Sequence, residues 1–178
     1  MVNARFVRAA VVAALCTAAA ACVASAGKAD DVPAPLIVAA PQVLKLQLHA
    51  SGVQIYVCQA VKNDSARFEW GFKQPEATLF TKHGRNVGKH YAGPTWEAND
   101  GSKTTGEVAA RSNSPEPNAI PWLLLNAKTA STTGMFAGIK SIQRLHTAGG
   151  AAPAGGCSPA QSGQELRVTY SADYLFYE

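Results

Sequence analysis

The chain has 178 residues, with 16 Lys and Arg against 12 Asp and Glu and a formal net charge of +4; this length excludes a large multidomain enzyme. Residues 1–26 hold 21 of the hydrophobic residues together with Arg5 and Arg8, so the other 152 residues carry 14 basic against 12 acidic groups and are about 41% apolar. A balance so near neutral, with no Lys/Arg cluster, leaves no electrostatic footprint for nucleic acid or an anionic membrane surface, and the composition is that of an ordinary globular domain.

Arg5 and Arg8 precede an uncharged run of Ala, Val and Leu from Ala9 to Ala21, and Ala24-Ser25-Ala26 supplies small residues before Gly27. This is the pattern of an export signal, so residues 1–26 are expected to be removed, leaving a periplasmic or extracellular protein that begins near Gly27. Ala19-Ala20-Ala21-Cys22 loosely resembles a lipoprotein box, and a lipid-anchored form through Cys22 is the alternative. No later stretch approaches about 20 apolar residues, so no transmembrane segment is expected in the mature chain. Residues 27–35, polar and proline-containing, read as a flexible linker, and residues 36–178 as one β-rich domain.

Within that domain apolar and polar residues alternate from Leu44 to His49 and again from Val53 to Cys58, and Ala50-Ser51-Gly52 between them predicts a hairpin turn. Phe68, Trp70 and Phe72 place three rings on one strand face, and Pro75-Glu76 is expected to end that run. Thr78–Thr81 and Val87–Tyr91 form a second candidate pair. Asn99-Asp100-Gly101-Ser102, between Thr95–Glu97 and Lys103–Ala109, contains the strongest local hairpin signal, an Asp-Gly step. Trp122-Leu123-Leu124-Leu125 is a continuous apolar run, as in a strand covered on both faces, although a short buried helix has the same look. Gly138–Thr147 is β-prone, a glycine-rich loop leads to Cys157, and Glu165–Tyr177 alternates to the end of the chain. With no sustained helical stripe, the expected fold is all-β: a single-domain antiparallel β-sandwich or barrel-like fold with long loops.

Once the leader is set aside, Cys58 and Cys157 remain as an even pair. In an oxidising compartment they read as a disulfide, with two buried thiols as the alternative, and neither has a CxxC neighbour.

Several phrases in order, Gly52-Val53-Gln54-Ile55-Tyr56-Val57-Cys58, Gly88-Lys89-His90-Tyr91-Ala92-Gly93-Pro94-Thr95-Trp96-Glu97, Ile120-Pro121-Trp122-Leu123-Leu124-Leu125, Ile142-Gln143-Arg144 and Tyr170-Ser171-Ala172-Asp173-Tyr174, resemble an exported bacterial and fungal family known only as domain of unknown function 3455. The resemblance spans about Pro35 to Tyr177 and implies no defined activity. Some relatives bear a malate dehydrogenase label. Here Gly149, Gly150, Gly155 and Gly156 do not follow the GxGxxG pattern and are not trailed by an acidic ribose ligand, so that activity and a dinucleotide cofactor are rejected, and no other cofactor is expected.

The densest polar cluster runs from His83 to Asp100. If the strands on either side of Ala92-Gly93-Pro94 pair, His90 can approach Glu97, and His90, Trp96, Glu97 and Asp100 become the candidate ligand or metal site, with an imidazole and carboxylates for acid–base work. His49 and His146 have no ligand-type neighbours in sequence, and no HExxH or other close metal spacing occurs. No GxSxG elbow marks a nucleophile. Arg144 is a candidate anion partner, and Trp122, Tyr170, Tyr174 and Tyr177 are candidate groove residues, each equally at home in sheet packing. The leading expectation is an exported β-domain that binds a small molecule, glycan or envelope partner without catalysis. A metal-binding protein or hydrolytic enzyme using His90 with Glu97 or Asp100, and a structural envelope assembly factor, are the alternatives.

Overall fold

The computed structural model describes residues 32–178, so the expected export signal and Cys22 lie outside the described residues. Eight strands follow in chain order: β1 (Leu44–Val61), β2 (Asp64–Phe80), β3 (Asn86–Tyr91), β4 (Thr95–Ala98), β5 (Lys103–Ser112), β6 (Trp122–Thr129), β7 (Ser141–Gly149) and β8 (Glu165–Tyr177). Each pairs antiparallel with the next, and β8 returns to β1, closing an up-and-down barrel with no free sheet edge. The all-β expectation is thereby narrowed from sandwich or barrel to barrel.

The strand period of two decides what faces inward. On β1 the inner residues are Leu46, Leu48, Ala50, Gly52, Gln54 and Tyr56; opposite them on β8 stand Phe176, Tyr174, Ala172, Tyr170, Val168 and Leu166. Leu48, Leu79, Trp96, Leu125, Ile142 and Phe176 are among the buried residues that form one apolar cluster inside the barrel.

Two sequence expectations need correction. Ala50-Ser51-Gly52 is not a turn: β1 runs unbroken through it, with Gly52 paired to Ala77 on one side and Tyr170 on the other. The glycine is there for close approach, since a Cβ would collide with the Glu76 carbonyl and Ala77. Pro75 does not end its strand either. It lies within β2 opposite Gln54, beside a bulge between Ile55 and Tyr56, a position where a missing N–H is tolerated. The Asp-Gly hairpin between β4 and β5 forms where expected.

The apolar run at the start of β6 is a strand covered on both faces. Leu123 and Leu125 point into the barrel, while Trp122 joins Leu36 and Leu145 in a smaller cluster on the outside, with Val32, Ala110, Leu124 and Leu175 packed against it. Ala34–Leu36, which overlaps the end of the expected linker, forms a short helical turn whose Leu36 is fully buried. Gln143 fixes that turn by donating from Nε2 to the Leu36 carbonyl at 2.6 Å, and accepts from the Tyr177 hydroxyl at 2.6 Å. Cys58, near the end of β1, is joined to Cys157 in the β7–β8 connection by a disulfide that closes a sequence separation of 99.

Candidate functional site

The two ends of the barrel are finished differently. At one end the segment between β6 and β7 folds over the opening: Phe136 is completely buried, with its ring 4.9 Å from that of Phe176, and Ile139 packs beside it. Asp100 and Ser102, in the β4–β5 turn, hold this plug. Asp100 Oδ2 accepts from the Met135 N–H at 2.8 Å, and Ser102 Oγ accepts from the Phe136 N–H at 3.1 Å.

At the opposite end the interior is a cavity of about 540 Å³. Tyr56, Phe72, Val108, Ile120, Leu123 and Leu125 are part of its apolar lining. Phe72 and Val108, 58% and 42% exposed, stand at its rim. An eight-stranded barrel is just wide enough either to fill with side chains or to hold one small ligand, and this barrel does the first at one end and the second at the other.

Polar groups in the open end are buried without matching partners. Gln54 Nε2, Trp96 Nε1 and the hydroxyls of Tyr170 and Tyr174 make no hydrogen bond of good geometry, although each residue is no more than 2% exposed; Tyr170 interacts only weakly with Gln54 and Tyr174, and Tyr174 with Arg144. Buried donors are satisfied in the great majority of folded proteins, and each orphan costs about 1–3 kcal/mol. Tyr56 is paired, donating to the Gly150 carbonyl at 2.6 Å. Burial raises the Tyr174 hydroxyl above its ordinary range, and burial followed by the neighbouring Tyr174 raises that of Tyr170, so both stay protonated.

Arg144 enters this space because β7 alternates: Ile142 and Arg144 face inward, Gln143 and Leu145 outward. Its Nε and Nη2 donate to the Pro121 carbonyl at 3.1 and 2.8 Å. Among the described residues the cavity lining contains no Asp or Glu, and Arg144 forms no ion pair. Its positive charge is felt at Tyr56, His90, Tyr170 and Tyr174 alike.

The four residues singled out from sequence separate into three places. His90 and Trp96 are directly opposite one another on β3 and β4 and point into the barrel. Their rings stack at 4.4 Å and 13°, with Tyr174 at 5.1 and 5.2 Å from the two. Glu97 pairs with Lys89 and so faces the other side of the sheet. There it accepts from the Tyr91 hydroxyl at 2.6 Å and lies 3.2 Å from Lys103 Nζ and 3.6 Å from Lys89 Nζ. The Tyr91 hydrogen bond first, then Lys103, hold its carboxyl below the ordinary range. Asp100 is part of the plug at the closed end, its pKa lowered chiefly by the Ser102 hydroxyl. His90 therefore meets neither carboxylate.

His90 is also unsuited to proton transfer near neutral pH. Burial pushes its imidazole down to about 3, against the opposing effect of the Thr95 carbonyl, to which Nδ1–H donates at 2.9 Å. The ring is neutral in the physiological range, whereas general acid–base work requires a pKa near the operating pH. Among the described residues no group of three or more His, Cys, Asp and Glu could hold a metal ion. His49 and His146 both reach Asp173 on the outside of the barrel, with Nδ1–Oδ distances of 3.0 and 2.9 Å. The glycine-rich stretch up to Gly156 belongs to the β7–β8 connection rather than to a strand-to-helix turn.

Of the other residues noted from sequence, Tyr174 and Arg144 line the cavity, Tyr170 lies beside it, and Trp122 and Tyr177 serve the outer wall. Gln54, Tyr56, Phe72, Val108 and Arg111 were not singled out from sequence as site residues. The signal available for them is inward alternation on strands that barrel closure brings together.

The fold and cavity define an eight-stranded up-and-down barrel, plugged at one end and hollow at the other. The family described as "Protein of unknown function (DUF3455)" matches residues 39–178, and the chain belongs to that family. No curated protein matches the sequence.

Proposed function

We propose that this protein is an exported, non-catalytic binding protein that holds one small molecule in the hollow end of its barrel. The observation that carries the reading is the cavity of about 540 Å³, inside the range of about 300–1,000 Å³ usual for small-molecule sites, with orphaned polar atoms of Gln54, Trp96 and Tyr174 in its wall. Its apolar lining favours a small apolar ligand over a glycan.

Export is supported by the leader pattern of residues 1–26 and by the Cys58–Cys157 disulfide, since such bonds persist in oxidising compartments. Among the described residues no helix is long and apolar enough to cross a membrane. The outer wall bears ion pairs, Glu76 with Arg167 and Glu107 with Lys128, around an apolar interior. Membrane barrels have the reverse distribution.

Native mass spectrometry of the protein recovered from an exporting host tests both halves. The expected species begins near Gly27 and carries one non-covalent molecule that leaves on denaturation. A chain that keeps residues 1–26 contradicts export. A barrel that carries nothing and also fails to take up an apolar dye contradicts binding.

A further inference from the structure

Among the described residues, the formal charges that line the hollow end are all positive: Arg144 lies near Tyr56, His90 and Tyr174, and Arg111 and Lys73 complete the lining. Lys73 is already paired with Glu165, whereas Arg144 has no carboxylate partner among the described residues and meets only the Pro121 carbonyl and, weakly, the Tyr174 hydroxyl. A guanidinium has five N–H groups, so two hydrogen bonds to Pro121 leave three, enough for a two-point contact with a carboxylate. The Pro121 carbonyl also fixes the orientation of the fork, which lowers the cost of ordering it on binding. A charge drawn into an apolar cavity without a counter-ion is unfavourable, and an anionic ligand would remove that cost.

The rest of the space sets the body of the ligand. Tyr56, Phe72, Val108, Leu123 and Leu125 offer apolar contact, and the stacked His90–Trp96 pair offers a flat floor. The exposed side chains of Phe72 and Val108 extend that surface to the mouth.

Resting on the binding reading above, we propose that the ligand is an apolar monocarboxylate, its carboxylate on Arg144 and its hydrocarbon or aromatic body directed toward Phe72 and Val108. Arg111 is exposed to water whereas Arg144 is partly buried, and one such guanidinium inside the space suits a single negative charge. The neutral donors around it, Gln54 and Tyr174, suit the oxygens of the same group.

The test is calorimetric titration with two matched pairs, phenylbutyrate against phenylbutanol and decanoate against decanol. At low ionic strength each acid should bind about tenfold or more tightly than its alcohol, as expected for a charge-assisted hydrogen-bonded pair. Arg144→Gln should bring each acid to the level of its alcohol and leave the alcohols unchanged. Should that variant fail to fold, the acid–alcohol difference in the unaltered protein still decides the matter. Alcohols that bind as well as acids, or an Arg144→Gln barrel with full affinity for the acids, overturn the ligand class and leave the binding reading intact. If neither acids, alcohols nor an apolar dye bind, the binding reading falls as well.

Discussion

The plugged and hollow ends of the barrel are built from the same eight strands, yet they treat buried atoms in opposite ways. At the plugged end Phe136, Phe176, Leu48, Leu79 and Ile142 meet one another inside, and Asp100 and Ser102 receive the backbone N–H groups of the plug. At the hollow end Gln54, Trp96, Tyr170 and Tyr174 bury polar atoms without a well-formed hydrogen bond, beside an arginine that no carboxylate of the described residues neutralises. The first arrangement is what stability alone requires. The second costs stability, and that cost supports the proposal that the hollow end binds a ligand.

Truncating the plug sharpens this contrast most. Phe136→Ala should destabilise the protein by about 3–5 kcal/mol, as for a fully buried ring, measured by urea unfolding. Reduction, or Cys58→Ser together with Cys157→Ser, should cost roughly 4 kcal/mol by the loop-entropy account for a separation of 99 residues, read as a lowered melting temperature. An unchanged melting curve with two titratable thiols would remove the disulfide from the account.

Acid should act through His90. From its ordinary value of 6.5 downward the unfolded chain takes up a proton that the folded barrel refuses until about pH 3, so stability is full above 6.5 and falls as the pH drops. Between pH 7 and pH 4 the loss from this residue is about 3 kcal/mol. His90→Asn should flatten urea midpoints over that interval, and an equally steep profile in the variant would show that the ring is not the cause. The smallest effect is expected at Tyr174. Tyr174→Phe removes a hydroxyl that meets Tyr170 and Arg144 only weakly, so stability should change by less than about 1 kcal/mol in either direction. A loss of several kcal/mol would mean that the hydroxyl is paired after all and would break the contrast between the ends.

Much of the barrel was legible because strand periodicity is local. β8 and the Asp-Gly hairpin could be read directly from alternation and turn chemistry. β1 could not, since Ala50-Ser51-Gly52 has the composition of a turn, and only its two neighbouring strands show that Gly52 serves close approach. The candidate site was half legible. His90, Trp96, Glu97 and Asp100 are close in sequence, but register places His90 opposite Trp96 and sends Glu97 to the outer face, while the turn carries Asp100 to the far end. Gln54, Arg144 and Tyr174 come from β1, β7 and β8, and closure of the barrel, which no local pattern specifies, brings them together.

The most direct test of a hollow end that binds is titration with anilinonaphthalene sulfonate, an apolar anionic dye that brightens when it leaves water, in the unaltered protein and in Val108→Trp. Val108 is half exposed at the rim, so a larger ring there obstructs the mouth without disturbing the plug. The account requires saturable uptake of one dye per barrel in the unaltered protein and its loss in Val108→Trp at equal melting temperature. Equal uptake by both, or none by the unaltered protein, contradicts it.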